Sequence, residues 1–180
     1  MRRLIVSNLM SLDGFFEGPN HSLDWFLFDQ DLFQYSVEML HSVDTILFGR
    51  TTFQHMAAYW PFAPKDEIAD NMNGLPKLVF SRTLGKAEWN NSRLVKGDAA
   101  EEVSRLKQQP GKDMVILGSA KLASSLLPTG LIDEYRVILT PVLIGAGTPM
   151  FQGIQQRLRF GLKQTRLFDS GVIVLYYQKA

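Results

Sequence analysis

The stretch from Met114 to Phe151, MVILGSAKLASSLLPTGLIDEYRVILTPVLIGAGTPMF, constrains the chain more than any other. An apolar run, Met114-Val115-Ile116-Leu117, stops at Gly118-Ser119-Ala120. A segment follows with Leu122, Ala123, Leu126 and Leu127 on one helical face. Pro128-Thr129-Gly130 ends it, and Tyr135 to Thr140 is again strand-like, running into Pro141-Val142-Leu143-Ile144-Gly145-Ala146-Gly147. Strand, glycine turn, helix, strand is an α/β unit. Its first turn leaves backbone N–H groups unpaired at the positive end of a helix dipole, where an anion can bind.

The rest of the chain supplies two more corners of this kind. Leu4 to Leu9 predicts a buried first strand, broken at Met10-Ser11-Leu12-Asp13-Gly14. Phe15 to Leu27 is an irregular segment rich in Phe and Trp, which has to pack on core, ligand or partner. A core-covering loop and a flap over a substrate both satisfy that demand. A first helix follows, with Asp29 or Asp31 as its cap and Phe33, Val37 and Leu40 on its inner face. Asp44 to Phe48 is the second strand. It ends in Gly49-Arg50-Thr51-Thr52, where a helix carrying Phe53, Met56, Ala57 and Trp60 begins, with Thr51 a plausible N-cap. Phe62 to Pro76 is a surface loop with at most a short helix. Lys77 to Phe80 is a third strand, running into Ser81-Arg82. Asp98 and Glu101 open another helix. Towards the C-terminus, Leu158, Phe160 and Leu162 alternate with polar residues, and Asp169-Ser170-Gly171 turns into a dense β run over Val172 to Tyr177. The expectation is one domain over residues 1–180, a mixed and mostly parallel sheet with flanking helices and a C-terminal antiparallel hairpin.

Ligands of open α/β sheets sit at strand C-termini, so Gly49-Arg50-Thr51, Ser81-Arg82 and Gly118-Ser119-Ala120 together suit a ligand with several phosphates. Each corner alone is an ordinary turn. Composition removes other classes. With no cysteine there is no disulfide, thiol nucleophile or thiolate-held zinc. A net charge of +1 favours neither nucleic acid nor an anionic membrane as partner. Met1-Arg2-Arg3-Leu4-Ile5-Val6 runs into polar Ser7-Asn8, so a secreted or membrane-spanning protein is not expected and a cytoplasmic one is. His21, His41 and His55 lack metal spacing and are expected on surfaces or helix faces, so no metal is expected. No Gly-x-Gly-x-x-Gly fingerprint, P-loop or Gly-x-Ser-x-Gly elbow occurs.

In order and spacing, Ser11-Leu12-Asp13-Gly14, Gly49-Arg50-Thr51-Thr52-Phe53, Gly118 with Gly130-Leu131-Ile132-Asp133-Glu134, and Pro141 to Phe151 resemble the reductase domain of bacterial riboflavin-biosynthesis deaminase-reductases. That domain is a member of the dihydrofolate reductase-like fold, and the chain looks most like its stand-alone branch. The resemblance implies an NADPH-dependent reductase of an aminopyrimidine- or pterin-like substrate, of the 5-amino-6-(5-phosphoribosylamino)uracil reductase type, and a homodimer. It implies that Gly49, Arg50 and Thr51 bind cofactor phosphates. Ser81 and Arg82 would approach the 2′-phosphate, and Gly118, Ser119 and Ala120 would cradle the pyrophosphate. Asn8, Asp13, Phe16, Trp25 and Phe53 would border the substrate, with Asp13 as the acid candidate or else only an Asp-Gly turn. Dihydrofolate reductases also hold their pterin on a first-helix carboxylate, and Asp29 and Asp31 lie near that position unless they only cap the helix. The deaminase half is missing, because its zinc site needs cysteines. The alternative is a non-catalytic nucleotide-binding protein on the same fold, and a further one is an interaction protein docking through the aromatic loop.

Overall fold

The computed structural model describes residues 1–179. The strands are β1 (Leu4–Ser11), β2 (Phe15–Glu17), β3 (Val43–Gly49), β4 (Lys77–Phe80), β5 (Ser92–Val95), β6 (Asp113–Leu117), β7 (Glu134–Thr140), β8 (Thr148–Pro149), β9 (Phe160–Leu167) and β10 (Ile173–Lys179). The helices are α1 (Gln30–Ser42), α2 (Arg50–Tyr59), α3 (Glu67–Gly74), α4 (Ala99–Lys107) and α5 (Ala120–Leu126). Eight strands form one sheet in the order β5-β4-β3-β6-β1-β7-β10-β9, while β2 and β8 pair separately. Pairing is parallel from β5 to β7, and β10 runs antiparallel to both β7 and β9. The expected mixed sheet with a C-terminal hairpin is what forms. Gly171, at φ +83°, makes the expected turn with its N–H on Phe168 O.

The central strands are apolar throughout because helices cover both faces. Leu4, Val6, Leu47, Met114 and Ile116 face α4 and α5, meeting Val103, Leu106, Leu122 and Leu126. Ile5, Ile46, Phe48 and Val115 face the other way, onto Val37 and Leu40 of α1, Phe53 of α2, and Ile68 and Met72 of α3. A third cluster seats the start of α1 on β7 and β10 through Leu32, Tyr35, Ile138 and Val174. Among the described residues no helix is long and apolar enough to cross a membrane.

Capping follows the sequence reading at α1 and α4. Asp29 accepts from Leu32 N at 2.8 Å, and Asp98 accepts from Ala100 N and Glu101 N. Thr51 does not cap α2. β3 runs into the helix with no residue between, so Gly49 is the N-cap position and Thr51 lies inside the first turn. The amides there keep no side-chain partner. Phe62 to Pro76 does hold one short helix, α3, capped by Asp66.

The segment Pro141 to Phe151 folds back over the aromatic loop. Leu12 N donates to Val142 O, Met150 N donates to Gly14 O, and β8 pairs with β2. Gly147, at φ +148°, passes so close to β2 that a Cβ would stand 2.0 Å from Glu17 O. Only glycine fits there.

Candidate active site

Two of the three corners are joined. Gly49 N donates to Ser119 Oγ at 3.0 Å, and Thr52 Oγ1 donates to Gly118 O at 2.6 Å. The start of α2 and the β6–α5 turn therefore form one rigid rim. Gly118 sits at φ +64°, and a Cβ there would lie 3.3 Å from Thr52 Cγ2. The third corner is attached by Arg50, whose Nη1 donates to Thr83 Oγ1 at 3.0 Å. Ser81 Oγ accepts from Thr83 N and Leu84 N, which shapes this turn, and Arg82 stands exposed on it. Bare amides at the start of α2, a glycine-closed turn and two arginines fit the phosphates of a dinucleotide.

This rim opens on a cavity of about 630 Å³ between α1, α2, α3 and the sheet. Gly49, Arg50, Thr51, Gly118, Ser119 and Ala120 line it at the two joined corners. Leu9, Phe26, Leu32, Met39, Trp60 and Ile138 are among its apolar walls. The aromatic loop covers the core, since Phe26 packs on the third core cluster, and Phe26 also lines the cavity. Met56 and Trp60, expected on the buried stripe of α2, are half-buried and face this space.

Of the residues expected at the substrate, Phe16 lines the cavity. Asn8 does not. Neighbours on a strand point to opposite faces, and Ser7 and Leu9 take the cavity side while Asn8 turns to Met150 Sδ at 3.6 Å. Phe53 is 3% exposed and packs against Phe48 and Trp89, so it belongs to the core. Trp25 lies outside the lining, with Nε1 donating to Ser22 O at 3.2 Å, while its neighbours Leu23 and Phe26 line the cavity.

Asp13 also lies outside the lining and has a different task. It accepts from Ser11 Oγ at 2.6 Å, Gly145 N at 2.8 Å and Ile144 N at 3.2 Å. The Ser11 hydroxyl foremost, with those amides, holds its carboxyl below the usual carboxylate range. A carboxylate so loaded with donors stays ionised and has no proton to give at neutral pH, and its geometry is that of a latch between two loops. On α1, Asp29 is the cap and Asp31 is exposed, and the cavity-facing positions carry Leu32, Tyr35, Ser36 and Met39.

Several lining residues escape a reading of the sequence. Glu17 accepts from Thr148 Oγ1 and pairs with His21 Nδ1, both at 2.8 Å, and the His21 and His55 rings meet edge-on at 5.0 Å. His21 and His55, expected on a surface or a helix face, are exposed, and both line the cavity. His41, expected likewise, lies outside it beside Glu67. Among the described residues no cluster suited to a metal ion occurs. Ser7 and Tyr35, each 2% exposed, contribute to the cavity floor. Their hydroxyls lack a partner of good geometry, although Arg136 stands beside Tyr35. Burial pushes the Tyr35 hydroxyl up, so it stays protonated. A serine interrupting an apolar strand was the one sequence signal for this floor.

The family model described as RibD C-terminal domain matches residues 2–174. The uncharacterized protein YyaP of Bacillus subtilis is 37% identical over 183 residues, covering 98% of this chain and 94% of YyaP. A putative riboflavin biosynthesis protein from Shewanella superposes with a TM-score of 0.82 at 21% identity, covering 99% of each chain. The Thermotoga maritima diaminohydroxyphosphoribosylaminopyrimidine deaminase/5-amino-6-(5-phosphoribosylamino)uracil reductase gives 0.71 at 15% identity, covering 99% of this chain and 57% of that one. Dihydrofolate reductase from Enterococcus faecalis, complexed with NADP(H), gives 0.67 at 15% identity, covering 98% and 96%. At these identities the structural likenesses establish the dihydrofolate reductase-like fold.

Proposed function

The chain belongs to the RibD C-terminal domain family, and on that premise we propose that it is an NADPH-dependent reductase of a small heterocyclic substrate. The observation that carries the reading is the joined rim. Two strand–helix corners, locked by Ser119 and Thr52, open directly on a largely apolar cavity. A reduced nicotinamide bound there would supply the hydride, as it does in other reductases. The chain's own residues do the positioning. The uncapped amides of Arg50, Thr51 and Thr52 and the Gly118-Ser119-Ala120 turn would hold phosphates, and Arg82 would read a 2′-phosphate. Phe16, Phe26 and Trp60 would flank the reacting face with apolar surface.

The test is NADPH binding by thermal shift, with Arg82→Ala as probe. Saturating NADPH raises the melting temperature, and Arg82→Ala weakens NADPH more than NADH. No shift at saturation rejects the reading, and equal losses for both cofactors reject the role of Arg82. A second reading, nucleotide binding without turnover, draws on the commitment of Asp13 to its loop. Cofactor bound with no oxidation across a substrate panel would favour it. Family membership also supports a homodimer, which light scattering reads directly.

A further inference from the structure

We propose that the compound reduced in this cavity is an uncharged, flat and largely apolar carbonyl compound, and not a phosphorylated pyrimidine or a pterin. The proposal rests on the NADPH-dependent reductase reading above and takes the substrate beyond the heterocycles named there. Three observations carry it.

The first is the apolar wall of the cavity, made by Leu9, Phe26, Leu32, Met39, Trp60 and Ile138. A charged group taken into such surroundings loses its hydration and needs a counter-ion. The second is the placement of charge. Among the described residues the lysine and arginine side chains lining the cavity are Arg50 and Lys121, both at the nucleotide rim. Arg136, behind the floor, is committed to Glu134 at 2.6 Å and to the Tyr176 ring. At the loop side of the cavity stands Glu17, whose carboxylate repels a phosphate, and His21 is already turned onto it. The cavity face of α1 carries no carboxylate, and Glu17 is already held by His21 and Thr148, so the cationic edge of a pterin finds no free partner among these. The third is the floor. Ser7 and Tyr35 are buried hydroxyls that stand beside each other, with Arg136 next to Tyr35, but make no hydrogen bond of good geometry, and a single acceptor oxygen would satisfy them. A flat apolar compound bearing one carbonyl meets all three conditions. In the reaction, the carbonyl carbon takes the hydride, the oxygen takes a proton from water, and NADPH leaves as NADP⁺. The product is the alcohol.

The experiment has two arms. Nicotinamide fluorescence on adding NADPH reads the cofactor half alone, and failure there sinks the reductase reading. The apolar wall is read by quenching of tryptophan fluorescence, since Trp60 is part of it. The protein is saturated with NADP⁺ if that binds and used bare if it does not. The probes are cinnamaldehyde, the same ring bearing a para-carboxylate, dihydrofolate, and 5-amino-6-(5-phosphoribosylamino)uracil. The aldehyde is expected to bind about tenfold tighter than each of the charged three, and to be the member that oxidises NADPH where the cofactor binds. Ser36→Lys, on the cavity wall, should narrow the gap between the aldehyde and its carboxylate. Met56→Lys serves if that variant does not fold. Equal binding within about twofold, tighter binding of any charged probe, or no binding of the aldehyde overturns the proposal.

Discussion

Asp13 and Phe53 sit in motifs that a sequence reading assigns to a substrate, and both turn out to hold the scaffold. Asp13 is a hydrogen-bond acceptor for two loop amides. Asp13→Asn should therefore leave NADPH binding intact while the segment from Pro141 to Gly147 becomes easier to cleave, as limited proteolysis reads. Its lowered carboxyl pKa adds a direction. That contribution is present above the ordinary aspartate range and fades as the pH falls through the lower folded value. Phe53→Ala opens the core against Phe48 and Trp89 and should cost about 3–5 kcal/mol of stability, read by urea titration, with little effect on NADPH affinity. Lys77 is a residue that no pattern announced. It is 1% exposed, donates to the carbonyls of Asn73, Leu75 and Asn90, and lies 4.4 Å from the centre of the Trp89 ring. Burial pulls its ammonium down to about 8. Between that value and its ordinary 10.5 the unfolded chain binds more protons, so this lysine makes stability rise with pH there. NMR of isotope-labelled lysine methylene groups should show one amine titrating near 8.

At the scale of elements, the decisive contacts are made by short pieces. β8 is two residues long, yet with Gly147 it fixes β2, Glu17 and the rim of the cavity. Gly147→Ala drives a methyl group into Glu17 O and should detach β8 from β2. The expected result is faster hydrogen exchange over residues 12–18 and 142–150 without loss of the central sheet. α4 is tied to β5 by charge. Arg105 donates to Glu102 at 2.8 and 3.0 Å, and Arg93 pairs with the same carboxylate. The hydrogen bond from Arg105 first, with Arg93 adding to it, pulls the Glu102 carboxyl down to about 2. Its stabilisation is whole above about 4.5 and is lost as the pH falls towards 2. Since both arginines are half-exposed, Glu102→Gln should cost about 1 kcal/mol at neutral pH. The gap to wild type should narrow at pH 3, as urea midpoints at the two pH values would show.

Across the whole molecule, the sheet divides the core in two, and β1, β3 and β6 belong to both halves. Their amides should exchange slowest, because opening them exposes both clusters. The rim couples elements far apart in sequence, since Gly49 and Ser119 are 70 residues apart. NADPH should therefore protect the start of α2 and the β6–α5 turn together in one hydrogen-exchange step. Ser119→Ala should separate the two responses.

What the sequence determined by itself is local. Apolar runs interrupted by glycine are strands ending in turns, a 3.6-residue apolar period is a helix on a sheet, and aspartate before such a period is a cap. Those rules placed the central strands, the α1 and α4 caps and the C-terminal hairpin. Two of the three corners later proved to line one cavity. The tertiary structure decided which face each side chain serves. Asn8 and Ser7 are neighbours in the chain, and one step of strand register sends them to opposite sides of the sheet. Glu17, His21 and His55 become a cluster only when β2 and α2 are brought together, and Asp13 becomes a latch only when residues 141–147 fold back over it. The reason is physical. Periodicity reports burial along one element, whereas a site is made where several elements meet, and the contacts that define it join residues far apart in the chain.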